Sequence, residues 1–142
     1  PAVTIAITGG TGFVGQALVE TLSRRKVPLR ALARGTPPSS APGVEWIRGT
    51  LEDRAALARL VKGAEAVIHV AGLTSAPDPC AFETANVAGT LALVEAAKNA
   101  GIPRFVFVSS LAAREPELSA YGASKAKAER IVAASALDWT IV

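Results

Sequence analysis

A strand, a glycine-rich turn and a helix follow one another without a break near the start of this chain. That succession restricts the fold more than any other feature. Val3 to Ile7 is apolar and β-branched, the pattern of a buried strand. Thr8-Gly9-Gly10-Thr11-Gly12-Phe13-Val14-Gly15 comes next. From Phe13 to about Arg24 apolar residues recur at helical spacing, with Val14, Ala17, Leu18, Thr21 and Leu22 on one stripe. Such a corner binds phosphate in dinucleotide folds. Gly9 can take backbone angles closed to other residues. Gly12 lets a diphosphate approach the backbone, and Gly15 lets the helix pack closely on its strand. The first amides of the helix, at Phe13, Val14 and Gly15, have no intrahelical acceptors and can face an anion. The spacing is Gly-x-x-Gly-x-x-Gly; a glycine triplet alone is a weak signal, and its flanking strand and helix carry the inference.

Strand and helix patterns alternate along the rest of the chain, as in a parallel sheet with helices on both faces. Leu29–Ala33 and Val44–Arg48 read as the second and third strands. Between them, 35–43 is a loop by composition, either a surface connection or a flap over adenosine. Asp53 caps a helix that runs to about Lys62 and stops at Gly63. Ala66–Val70 is a fourth strand, apolar except for His69, which reads as a satisfied core residue. A long helix is expected over Ala81–Asn99, a fifth strand over Arg104–Val108, a helix over Ser119–Ala134, and a sixth strand opening at Thr140. This is an α/β fold with a doubly wound, mostly parallel sheet of strand order 3-2-1-4-5-6. Ligands of such sheets bind beyond the carboxyl ends of the strands. The glycine turn, Ala71-Gly72 and Ser109-Ser110 all fall on that edge.

Composition narrows the partners. Fifteen basic against twelve acidic residues leave +3, scattered without a basic run, which argues against nucleic acid. No apolar run approaches a bilayer's span, so no membrane segment is expected. Cys80 is the single cysteine and cannot form an internal disulfide, which fits a cytoplasmic setting. Half the residues are hydrophobic, which suits one domain with a core. Pro1 in place of Met suggests a removed initiator.

Tyr121-Gly122-Ala123-Ser124-Lys125 opens the last long helix and puts Tyr121 and Lys125 on one helical face. A phenol with a pKa of about 10 is a poor acid–base at neutral pH. A nearby ammonium favours the phenolate and lowers that value. Ser110 can set a hydroxyl beside the phenol, and such a pair can hold an oxygen passing between carbonyl and alcohol. For Ser109, a functional and a structural hydroxyl stay equally open.

Together these segments resemble the extended and atypical short-chain dehydrogenases/reductases, the NAD(P)-dependent epimerase/dehydratase family. TGGTGFVG, VIHVAG, NVAGT, FVFVSS and YGASK occur in that family's order over nearly the whole chain. The resemblance implies Tyr121 as acid–base, Lys125 lowering its pKa and holding the nicotinamide ribose, and Ser110 orienting substrate. It places Gly9, Gly12, Phe13, Val14, Gly15, Leu51, Ala71 and Gly72 along the cofactor. Asn86 matches a family asparagine and is given a structural role.

Several positions depart from the family pattern. Arg34, with Arg30 nearby, stands where many members carry an Asp for the adenine ribose, which favours NADP over NAD. Gly49-Thr50-Leu51 replaces the usual Gly-Asp-Leu. The short interval from Ser110 to Tyr121 argues against sugar-nucleotide epimerisation. The family's carboxyl-terminal substrate lobe is missing, so residues 1–142 read as one NAD(P)-binding Rossmann domain cut within or just after its sixth strand. The expected activity is NAD(P)-dependent oxidoreduction, epimerisation or dehydration of an unidentified small molecule, with the fragment alone inactive. A non-catalytic NADP(H) sensor or assembly subunit is the alternative, and a homodimer stays open.

Overall fold

A computed structural model describes residues 3–37 and 41–142. The middle of the 35–43 loop and Pro1 therefore lie outside the described residues. Six parallel strands form one sheet: β1 (Ile5–Thr8), β2 (Leu29–Ala33), β3 (Val44–Arg48), β4 (Ala66–His69), β5 (Arg104–Phe107) and β6 (Trp139–Ile141). Their order is β3-β2-β1-β4-β5-β6, as the alternation predicts. The helices are α1 (Phe13–Arg24), α2 (Arg54–Val61), a short α3 (Cys80–Phe82), α4 (Gly89–Asn99) and α5 (Ala120–Ala133).

Two apolar layers hold the sheet. On one face Leu57, Leu60 and Val61 of α2, Leu93, Val94 and Ala97 of α4, and Ala128 and Val132 of α5 pack on Val67, Phe105 and Phe107. On the other, Val19 of α1 packs with Ile7, Leu29 and Ala31, beside Trp46. Right-handed crossovers impose this division: the chain moves one way from β1 to β2, and the opposite way through β3 to β6. Among the described residues α1 is the one helix on its face, which it covers around β1 and β2. Farther along, Ile68, Val106 and Thr140 stay half-buried.

The structure corrects the sequence reading in three places. The buried stripe of α1 is Gly15, Val19 and Ser23, with Val14 exposed. The close fit at Gly15 rotates the helix: a Cβ there would lie 1.7 Å from the Gly9 carbonyl oxygen, so Gly15 packs on the turn itself. The helix expected over 81–99 is not uniform. A π-helical turn, Glu83–Ala88, separates α3 from α4, and π turns of this kind often sit at functional sites. Arg30 is far from any cofactor edge. It lies near the amino end of β2, donating from Nε to Glu45 and from Nη1 to the Arg59, Leu60 and Lys62 carbonyls at the end of α2. The Ser109 hydroxyl, whose role the sequence leaves open, donates to Glu129 of α5 at 2.5 Å.

Candidate functional site

The glycine turn leaves the carboxyl end of β1 with Gly9 at φ +74°, and a Cβ on Gly9 would come within 2.5 Å of the Ala71 amide nitrogen. Gly9 is therefore required twice, by its conformation and by the chain after β4. Gly12 differs. It caps α1 in extended conformation, no side chain caps the helix, and a Cβ would meet only the Gly9 carbonyl oxygen at 3.5 Å. No described residue crowds that position, so the clearance it leaves faces outward. An uncapped helix start above a bare backbone fits a diphosphate.

Ala71 and Gly72 follow β4 and lie beside this turn. The Val70 and Ala71 amides both donate to the Thr8 hydroxyl at 3.2 Å. A Cβ on Gly72 would stand 3.2 Å from the Asn86 Oδ1 and 3.8 Å from the Lys125 ammonium. This brings the turn and the start of α5 to one edge. Arg34 is exposed just past β2, next to a cleft of about 220 Å³ lined by Ala33, Gly35, Thr36, Pro37, Trp46 and Arg48. Leu51 faces inward; its side chain fills the space that a Cβ on Gly89 would need.

Ser119 caps α5 by accepting from the Gly122 amide at 2.9 Å. Tyr121 is half-buried, its ring 6.0 Å from that of Phe82. Lys125, one turn on, is only 4% exposed, and its ammonium donates to the Val108 carbonyl at 3.1 Å. Burial pulls its pKa down to about 8, a displacement that Glu129 partly opposes. Ser110 follows β5 and caps a 3-10 turn, Leu111–Arg114, by accepting from the Ala112 amide at 3.2 Å. The structure thus sets Ser110, Tyr121 and Lys125 in the region where β5 ends and α5 begins.

Asn86 joins these parts, and the π turn delivers it. Its Oδ1 accepts from the Leu73 amide at 2.7 Å, and its Nδ2 donates to the Leu73 carbonyl and to the Ser124 hydroxyl. Beneath lies a row of in-register neighbours at the carboxyl end of the sheet, Thr8, His69, Phe107 and Ile141. His69 is fully buried, its pKa lowered to about 3 by burial and by the Lys125 charge.

A doubly wound sheet, a bare glycine turn at the start of its first helix, and a buried lysine one turn from a tyrosine define a dinucleotide-binding protein. A family model described as "NAD(P)H-binding" matches residues 9–142. The chain is 47% identical over 134 residues to a ceramide reductase of Caulobacter vibrioides, covering 92% of this chain and 42% of that protein. It is 37% identical over 146 residues to a 4-hydroxy-2-methyl-3-oxo-4-farnesyl-3,4-dihydroquinoline-1-oxide ketoreductase of Stigmatella aurantiaca, covering 89% and 44%. A solved short-chain dehydrogenase/reductase superfamily protein of Agrobacterium tumefaciens with bound NAD superposes with a TM-score of 0.85 at 31% identity, over 97% of this chain and 48% of that one. The chain belongs to the NAD(P)H-binding family of the short-chain dehydrogenase/reductase superfamily. It spans less than half the length of these two relatives. Among the described residues no helix is long and apolar enough to cross a membrane.

Proposed function

We propose that this chain is the cofactor-binding and acid–base half of an NADPH-dependent ketone reductase. The supporting observation is Lys125: a buried ammonium with one carbonyl acceptor, on the same helical face as Tyr121 and beside the strand that leads to Ser110. Burying a charge is costly, and an ammonium held one helical turn from a phenol offsets that cost by favouring the phenolate. A bound dihydronicotinamide would supply the hydride that the substrate's carbonyl carbon takes up, with its diphosphate held by the glycine turn. Tyr121 gives its phenolic proton to the carbonyl oxygen, Ser110 donates a hydrogen bond to that oxygen, and Lys125 stabilises the phenolate that remains. Proton and hydride together convert ketone to alcohol, and solvent returns the proton to Tyr121.

The substrate in this reading is a small molecule whose ketone lies on a long apolar chain. Leu111 and Leu118, 76% and 77% exposed, stand in the segment between Ser110 and Tyr121. The names of the ceramide reductase and the farnesyl-quinoline ketoreductase point to the same substrate class. The test is Tyr121→Phe in the full protein, assayed with NADPH and 3-oxoacyl compounds of increasing chain length. The ring stays and the proton goes, so kcat should fall by about 10²–10⁴-fold with NADPH affinity little changed. Near-normal turnover would remove Tyr121 from the chemistry and favour a non-catalytic NADP(H)-binding role.

A further inference from the structure

His69 is a buried polar group that the proposed chemistry does not use. Its surroundings fix its proton. The Thr90 hydroxyl donates its single hydrogen to the Asn86 carbonyl at 2.7 Å, so its oxygen accepts from the His69 Nε2–H at 2.8 Å. Nδ1 then carries no proton and accepts from the Thr8 hydroxyl at 2.6 Å. The Thr8 oxygen in turn accepts from the Val70 and Ala71 amides, and the Ala71 amide lies against Gly9. At the other end the Asn86 side chain donates to the Ser124 hydroxyl at 3.0 Å, and Ser124 donates to the Tyr121 carbonyl at 2.7 Å. Thr8, His69, Thr90, Asn86 and Ser124 are all buried, and each is engaged.

We propose that His69 is a positioning residue that couples the phosphate turn to the helix carrying Tyr121 and Lys125. The inference rests on the reading of that helix given above. An apolar ring would pack as well between Phe105 and Phe107, whose ring centres lie 6.3 and 5.4 Å from the imidazole. What an apolar ring cannot do is accept from β1 and donate to α4 at once. Buried networks with every member satisfied select one arrangement of their elements. Here the selected arrangement sets the height of Gly9 and Ala71 relative to Asn86, and hence cofactor relative to phenol. Hydride transfer is sensitive to such offsets, since small misplacements cost rate before they cost binding of the remote substrate.

The test uses the full protein and two sites. His69→Phe keeps the ring against Phe105 and Phe107 and removes both hydrogen bonds. Thr90→Val keeps shape and removes the hydroxyl, and Thr90→Ser restores the hydroxyl. NADPH affinity is read by calorimetry, and kcat and KM by ketone reduction. The expected result for His69→Phe is a loss of kcat of roughly tenfold or more with KM for the ketone near wild type. NADPH should also bind several-fold more weakly, because Thr8 and the turn are no longer tethered. Thr90→Val should reproduce the loss in kcat, and Thr90→Ser should recover most of it. If His69→Phe does not fold, the two Thr90 variants decide. Equal kcat in Thr90→Val and Thr90→Ser, or a lowered melting temperature with kcat and NADPH affinity intact, would leave His69 with a packing role alone and overturn the proposal. If Tyr121→Phe keeps its turnover, the acid–base reading fails instead, and the NADPH-affinity measurement still decides whether His69 tethers the turn.

Discussion

Lys125 holds its ammonium 4.3 Å from the centre of the Phe107 ring. The ring face attracts the cation and the Val108 carbonyl accepts from it, yet together they replace less than water would supply. The pKa of about 8, below the ordinary 10.5, measures the deficit.

Lys125→Met should therefore make the protein more stable and less active. Below pH 8 the lysine is charged in the folded and the unfolded chain, and the folded chain bears the full cost of its burial. Between about pH 8 and 10.5 the folded chain releases the proton while the unfolded chain still binds it, so this group adds stability as pH rises. Above 10.5 the cost is gone. Methionine removes it at every pH. The variant's advantage should be roughly 1–3 kcal/mol at pH 7 and should shrink toward zero by about pH 11. Thermal melts from pH 7 to 11 measure it. Turnover and NADPH affinity should both fall in the same variant. A destabilised Lys125→Met at pH 7 would mean that the contacts with Phe107 and Val108 outweigh burial.

Gly12 and Gly15 should separate binding from stability. At Gly15 a side chain runs into the Gly9 carbonyl, so Gly15→Ala should destabilise by about 2–4 kcal/mol. At Gly12 the backbone is extended and a Cβ makes ordinary contact. Gly12→Val should melt like the parent in circular dichroism yet lose dinucleotide binding in calorimetry. Retained affinity in Gly12→Val would leave the turn as a structural corner only.

The order of the sheet was legible because each strand is a short, mostly apolar or alternating run bounded by glycine, proline or a cap, and parallel crossovers leave few ways to arrange six of them. The helix capped by Asp53 was legible for the same local reasons, with the carboxylate accepting from Ala56 at 3.0 Å. Other features were set by partners distant in sequence. The π turn at Glu83–Ala88 lies inside an unbroken helical pattern, and what it serves, the meeting of Asn86 with Leu73 and Ser124, is a tertiary event. The stripe of α1 was misplaced because a steric contact at Gly15 decides which side faces the sheet. His69 was correctly read as a satisfied core residue. Its partners, Thr8 and Thr90, could be found only once β1, β4 and α4 were placed together.

Arg34 and Arg30 are separated by three residues and a strand's length, and they should behave differently. Arg30 is tied to Glu45 and to the carbonyls that end α2, so it completes a helix terminus near the amino end of β2, away from the cofactor edge. Arg34 is exposed past the carboxyl end of β2, where an adenine ribose lies in folds of this kind. A guanidinium there can grip a 2′-phosphate through paired hydrogen bonds. We expect NADPH to bind more tightly than NADH, and Arg34→Ala to reduce the ratio of their dissociation constants by roughly 10–100-fold, the scale of hydrogen bonds to a charged group. Arg30→Ala should leave that ratio unchanged and lower stability by about 1–2 kcal/mol through the frayed end of α2. Calorimetric titration of both dinucleotides into the three proteins decides it. Equal affinity for NADH and NADPH in the parent would remove the NADP preference, and a ratio that follows Arg30 would move the phosphate contact to the wrong end of β2.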